Sequence, residues 1–74
     1  MTRYFFDLTD GTHERDNTGV ELAGVEDATE EAIRFLGEVL KHEPERLAAD
    51  SLRVDVSDDA RTRLFTICAT IKHV

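Results

Sequence analysis

Apolar residues along this chain follow two rhythms. Near the start Tyr4, Phe6 and Leu8 alternate with Phe5 and Asp7, the period of a strand that buries one face. This predicts the central strand of a small sheet over residues 3–9, with Phe5 and Asp7 on the opposite face. It enters a turn at Asp10-Gly11, where glycine accepts the positive φ of a tight hairpin. Thr12 to Arg15 would return as a polar edge strand, which discourages edge-to-edge aggregation. Asp16-Asn17-Thr18-Gly19 is a second turn, opened by an Asx residue and closed by a glycine, after which Val20 and Leu22 alternate again.

From Val25 the rhythm changes to three-and-four spacing. Val25, Ala28, Ala32, Ile33, Leu36, Val39 and Leu40 make one helical stripe, with Phe35 at its edge and Gly37 as a candidate for close approach to the sheet. Glu26, Asp27, Glu30 and Glu31 crowd the first turns and Lys41 and His42 the last, as the helix dipole favours. Gly24 and Asp27 both qualify as the N-terminal cap, the second with Glu30 as its capping-box partner. Glu30 and Arg34 are spaced to pair. Pro44 ends the helix and starts one further turn in which Leu47 tucks under. Leu52, Val54 and Val56, then Phe65, Ile67, Ala69 and Ile71, alternate with polar residues on either side of a turn at residues 57–61, predicting a closing hairpin.

The order hairpin, helix, hairpin predicts one two-layer α+β domain over residues 1–74: an antiparallel sheet of three to four strands with one long helix on one face. At 74 residues such a chain buries only about 60% of its unfolded surface. Short domains often gain from disulfides, metals or self-association. The single cysteine, Cys68, rules out an internal disulfide, and no Cys/His pair has zinc-ligand spacing. Self-association is the device left.

The net charge of −7 is uneven, with nine acids against three bases in residues 1–37 and seven against six in residues 38–74. Such a surface repels phosphate backbones and offers no polybasic face to lipid, so neither nucleic acid nor membrane is the expected partner. No apolar run is long enough for a membrane span or a signal-peptide core, and a cytoplasmic protein is expected.

The opening Arg3-Tyr4-Phe5-Phe6, the Asp10-Gly11 turn, and Asp16 to Gly19 followed by Glu21-Leu22 together resemble a family of short bacterial proteins catalogued as a domain of unknown function. The alanine- and glutamate-rich helix and the closing hairpin entered through Val56-Ser57-Asp58 strengthen the likeness. The resemblance spans nearly the whole chain and implies a compact domain with no known activity, ligand or catalytic residue. Members usually place a glycine in the last turn, where this chain has Ala60-Arg61. Either that turn is built differently, or a non-glycine residue there is strained.

Candidate chemistry is sparse. Asp7, Asp10, His13 and Asp16 recur every three residues, and carboxylates with a histidine suit a cation. A strand and a turn would aim them in different directions, so they read as turn and surface residues, and neither metal nor cofactor is expected. Cys68, mid-strand between Thr66 and Thr70, reads as a small hydrophobe. No phosphate loop, Ser-His-Asp order or zincin signature occurs, so catalysis by the monomer is not expected. The best functional feature is the uncovered sheet face, where Phe5, Leu64, Thr66 and Cys68 would leave an apolar patch. That face or an adjacent strand edge is expected to bind a second copy, forming a homodimer, or another protein. Two alternatives are an antitoxin-like binder of a basic protein and an enzyme whose site assembles across a dimer near Asp7 and His13.

Overall fold

A computed structural model describes residues 1–49 and 51–74. Its elements are strand β1 (Thr2–Thr9), β2 (His13–Glu14), β3 (Val20–Leu22), helix α1 (Val25–His42), a 3-10 turn (Pro44–Ala49), and strands β4 (Ser51–Ser57) and β5 (Arg63–Thr70). The fold is α+β, one helix over a five-stranded antiparallel sheet. Five strands occupy four positions, because β2 and β3 both pair with the same edge of β1. β3 takes Thr2 to Tyr4 and β2 takes Leu8 and Thr9. The interior is shared by β1 and β4, so the opening strand is one of two central strands; β5 closes the other side.

Alternation places the core as expected for the inner strands. Tyr4, Phe6, Leu8, Leu52, Val54 and Val56 are buried against Ala28, Ala32, Leu36 and Val39 of α1. The outer positions differ. Val20 is exposed on the edge strand; Phe65, Ile67 and Ala69 on β5 are half-buried, and Ile71 lies beyond the strand, exposed. Edge strands have a neighbour on one side only, and one helix cannot cover four strand positions.

For the same reason the helix stripe is narrower than the apolar pattern. Val25 is exposed, and Ile33 is 58% exposed. The cap is Gly24, extended, whose carbonyl accepts from Ala28 N, with no side-chain capping bond. Arg34 pairs with Glu31 at 2.7 Å, one residue from the expected Glu30. Gly37 faces open space and approaches nothing. Leu47, in the turn after Pro44, packs against the core as expected.

The turns are closed by side-chain carboxylates that accept from backbone amides. The first hairpin closes through Asp10-Gly11-Thr12, with Asp10 Oδ1 accepting from Thr12 N and Gly11 at φ +101°. In the last turn Asp58 Oδ1 accepts from Ala60 N and Thr62 N. Arg61 there holds φ +64°, so the non-glycine residue does adopt the left-handed conformation.

Candidate functional site

Asp16 organises the edge of β1. Between the segments paired to β3 and β2, the Phe6 amide has no strand partner on that edge, and it donates instead to Asp16 Oδ2 at 3.0 Å. Asp16 Oδ1 accepts from Thr18 N and Gly19 N, each at 3.0 Å, which forms the Asx turn. Its own backbone is held too: Asp16 N donates to Asp7 Oδ1 at 2.8 Å, and Asp16 O accepts from Arg61 Nη2 at 2.7 Å. Burial pushes the Asp16 carboxyl up, but the Gly19, Phe6 and Thr18 amides, with Arg61 nearby, outweigh it and hold the group below the usual carboxylate range.

The uncovered face of the sheet is charged rather than apolar. Asp7 and Asp55 are direct cross-strand partners, an arrangement of like charges that is unfavourable unless compensated. Compensation comes from the neighbours. Asp55, only 3% exposed, accepts from Thr66 Oγ1 at 2.8 Å and lies 3.1 Å from Arg53 Nε and 3.6 Å from Arg63 Nη2. Asp7 lies 3.6 Å from Arg61 Nη1 and 3.4 Å from His13 Nε2. The Arg61 guanidinium also stacks 3.7 Å above the Phe5 ring, a cation–π contact.

The four residues expected to form an apolar patch therefore have different surroundings. Phe5 is half-buried beneath Arg61 on β1, while Leu64, Thr66 and Cys68 are exposed on β5, two strands away. Thr66 is tied to Asp55, and Cys68 is a free, exposed thiol.

The carboxylate and histidine series divides similarly. Asp7, His13 and Asp16 meet beside β1, whereas Asp10 turns to Arg46. That hydrogen bond, followed by the one from Thr12 N, holds the Asp10 carboxyl below its ordinary value. Among the described residues, no group of three or more His, Cys, Asp and Glu side chains is placed to hold a metal. Asp55, Ser57, Arg61 and Arg63 were not singled out from the sequence as a site. Only the β1–β4 register brings Asp55 opposite Asp7, and only the last turn, with Arg61 in left-handed backbone, brings that side chain over Phe5.

Two concavities flank this framework. A groove of about 580 Å³ lies between α1 and the β2–β3 edge, floored by Phe6, Leu8, Phe35 and Val39. Its rim cations are mostly spent: Arg34 on Glu31, and Arg46, 18% exposed, on Asp10, Glu14 and Glu43. A cleft of about 350 Å³ on the open face is lined by Asp7, His13, Arg15, Asp55, Ser57, Arg61 and Arg63.

The model of the family described as Domain of unknown function (DUF6894) matches residues 3–70, from the second residue of β1 to the end of β5. The chain belongs to that family. The DUF6894 match takes in every strand, the helix and both charged turns, so the framework around Asp16 and Arg61 lies inside the family's domain. No curated protein and no solved structure matches the chain significantly. Among the described residues no helix is long and apolar enough to cross a membrane.

Proposed function

We propose that this DUF6894 domain is a non-catalytic interaction module that self-associates through the edge of β5. The observation that carries this reading is the contrast between the two sheet edges. The β2–β3 edge is broken into pieces of two and three residues, with Asp16 plugging the gap. Short, polar and interrupted strands are how proteins protect an edge. β5 has none of these devices. Its eight residues, Arg63 to Thr70, contain no proline and one charge, at the first position.

An apolar flank continues from that edge. At about 100° per helical residue, Glu31, Phe35 and Glu38 occupy the side of α1 above β1 and β3. Ile33 and Leu40 occupy the side towards β5, next to the half-buried Phe65, Ile67 and Ala69. Antiparallel β5–β5 pairing about a two-fold axis supplies the missing strand and sets two α1 helices side by side over this flank. A second copy fits because the surface to be covered is itself a strand edge with a helix flank. A non-catalytic role is supported by Asp7, Asp16 and Asp55, which direct their oxygens to structural N–H, hydroxyl and guanidinium groups.

Sedimentation equilibrium tests the reading. The wild type is expected to be a dimer, and Ile33→Glu a folded monomer. Each substitution counts twice in a two-fold dimer, and covering an isoleucine contributes about 1–1.5 kcal/mol per copy, so the dissociation constant should rise about 30- to 150-fold. A short bismaleimide should link Cys68 to Cys68, since symmetric pairing brings both thiols to one face near the axis. A wild-type monomer at all concentrations up to the millimolar range would sink the proposal.

A further inference from the structure

The cleft on the open face holds cationic donors that the fold does not use. Arg61 Nη2 is spent on Asp16 O, but Nη1 is buried without a hydrogen-bond partner among the described residues, 3.6 Å from Asp7. Arg63 engages Asp55 through Nη2 alone, at 3.6 Å, with its side chain 65% exposed. Arg15 lines the cleft with no ion pair or hydrogen bond to any described residue. A guanidinium carries five N–H donors in a rigid fork, so most of this donor capacity is unclaimed. The Ser57 side chain, on a residue buried between β1 and β5, opens on the same space.

Charge placement points the same way. Three of the nine basic side chains and only two of the sixteen acids line this cleft, so the molecule's negative excess lies elsewhere. Those two carboxylates are sheltered, with side chains 17% and 5% exposed, and each already has cationic or hydrogen-bonding neighbours. Asp55 is occupied by Thr66, Arg53 and Arg63, and Asp7 by Asp16 N, with His13 and Arg61 beside it. They anchor the guanidiniums.

We propose that this cleft is an oxyanion site that takes a phosphate group, free or as a monoester, held by Arg15, Arg61 and Arg63 with the Ser57 hydroxyl as a fourth donor. A planar carboxylate is served by one guanidinium fork, whereas a tetrahedral dianion offers oxygens to donors arriving from several directions. Guanidiniums from the β2 end, the last turn and β5 supply that divergence. Arg63 opens β5, but its side chain lines the cleft on the open face, so the proposal goes beyond the self-association reading.

The test is an amide-shift titration of the full chain with inorganic phosphate at constant ionic strength, with phenyl phosphate and acetate as parallel ligands. The expected result is saturable shifts at Asp7, Arg15, Ser57, Arg61 and Arg63. Their dissociation constant should rise about tenfold or more in Arg63→Gln and in Arg15→Gln, whose exposed side chains are replaceable without loss of fold. Tighter binding of phenyl phosphate would identify an esterified group as the ligand, and equal binding the free anion. Non-saturating shifts, acetate binding as tightly as phosphate, or affinity unchanged in both variants would overturn the proposal.

Discussion

Replacing Asp16 by alanine removes one carboxylate that serves three backbone amides in two elements. The Phe6 and Gly19 amides are part-buried and the Thr18 amide is exposed. Hydrogen bonds to a charged acceptor contribute about 1.5–3 kcal/mol when sheltered. Discounting for the partial exposure here leaves about 1–1.5 kcal/mol for each of the first two and a few tenths for the third. The total is about 3 kcal/mol, against a stability of about 4–11 kcal/mol for a chain of this length. At about 4–8 °C per kcal/mol, the midpoint of thermal unfolding should fall by roughly 12–24 °C. Asp16→Asn keeps one oxygen for two amides but turns an NH2 towards the third, so about half that loss is expected. Urea unfolding followed by circular dichroism measures both variants, and hydrogen exchange reports the location. The Phe6 amide should lose protection in Asp16→Ala more than its neighbours in β1. A loss below about 1 kcal/mol, or unchanged exchange at Phe6, would refute the view that this side chain substitutes for a missing strand.

Other outcomes follow from the same geometry. Gly19 has φ +71°, and a Cβ there would lie 2.8 Å from Arg3 Cγ and 2.9 Å from Tyr4 O. Gly19→Ala should therefore cost about 2–3 kcal/mol in urea unfolding, whereas Gly11→Ala, with a positive φ but open space around it, should cost about 1. Arg61→Gly relieves the left-handed backbone while losing the Phe5 and Asp16 contacts, so its stability should stay within about 1 kcal/mol of wild type. Arg61→Ala keeps the strain and loses the contacts, and should cost about 2 kcal/mol. Asp16 and Asp10 are both held below the ordinary value of 3.8. The folded state then binds fewer protons than the unfolded one, so their contribution is full above that value and is lost as pH falls through the lower folded values. Midpoints measured from pH 6 to pH 2 should show this decline, and Asp16→Asn should make it shallower.

The fold was largely legible because its inner elements obey simple periods. β1, β4 and the 28, 32, 36, 39 face of α1 are covered on both flanks, so alternation and helical spacing translate directly into burial. The turns were legible too, since Asp16, Gly19 and Asp10-Gly11 act through bonds spanning a few residues. Misplaced residues cluster at the margins. Val20, Ile33 and Ile71 fit their periods as well as any core residue, but burial also needs a neighbour, and a period carries no information about where a sheet ends.

Alternation alone sets Asp7, Arg53 and Asp55 on the side away from the core, but the contacts on that charged face belong to the tertiary structure. Asp7 meets Asp55 through strand register, and Arg61 reaches Phe5 from a turn distant in sequence. Phe5 looked like an exposed aromatic because neither Arg61 nor the Gly19 turn, which lie against its ring, is near it in sequence. Local order follows from local chemistry, which a linear chain displays. Which charges on that face meet depends on pairings between residues roughly fifty positions apart, and only packing selects them.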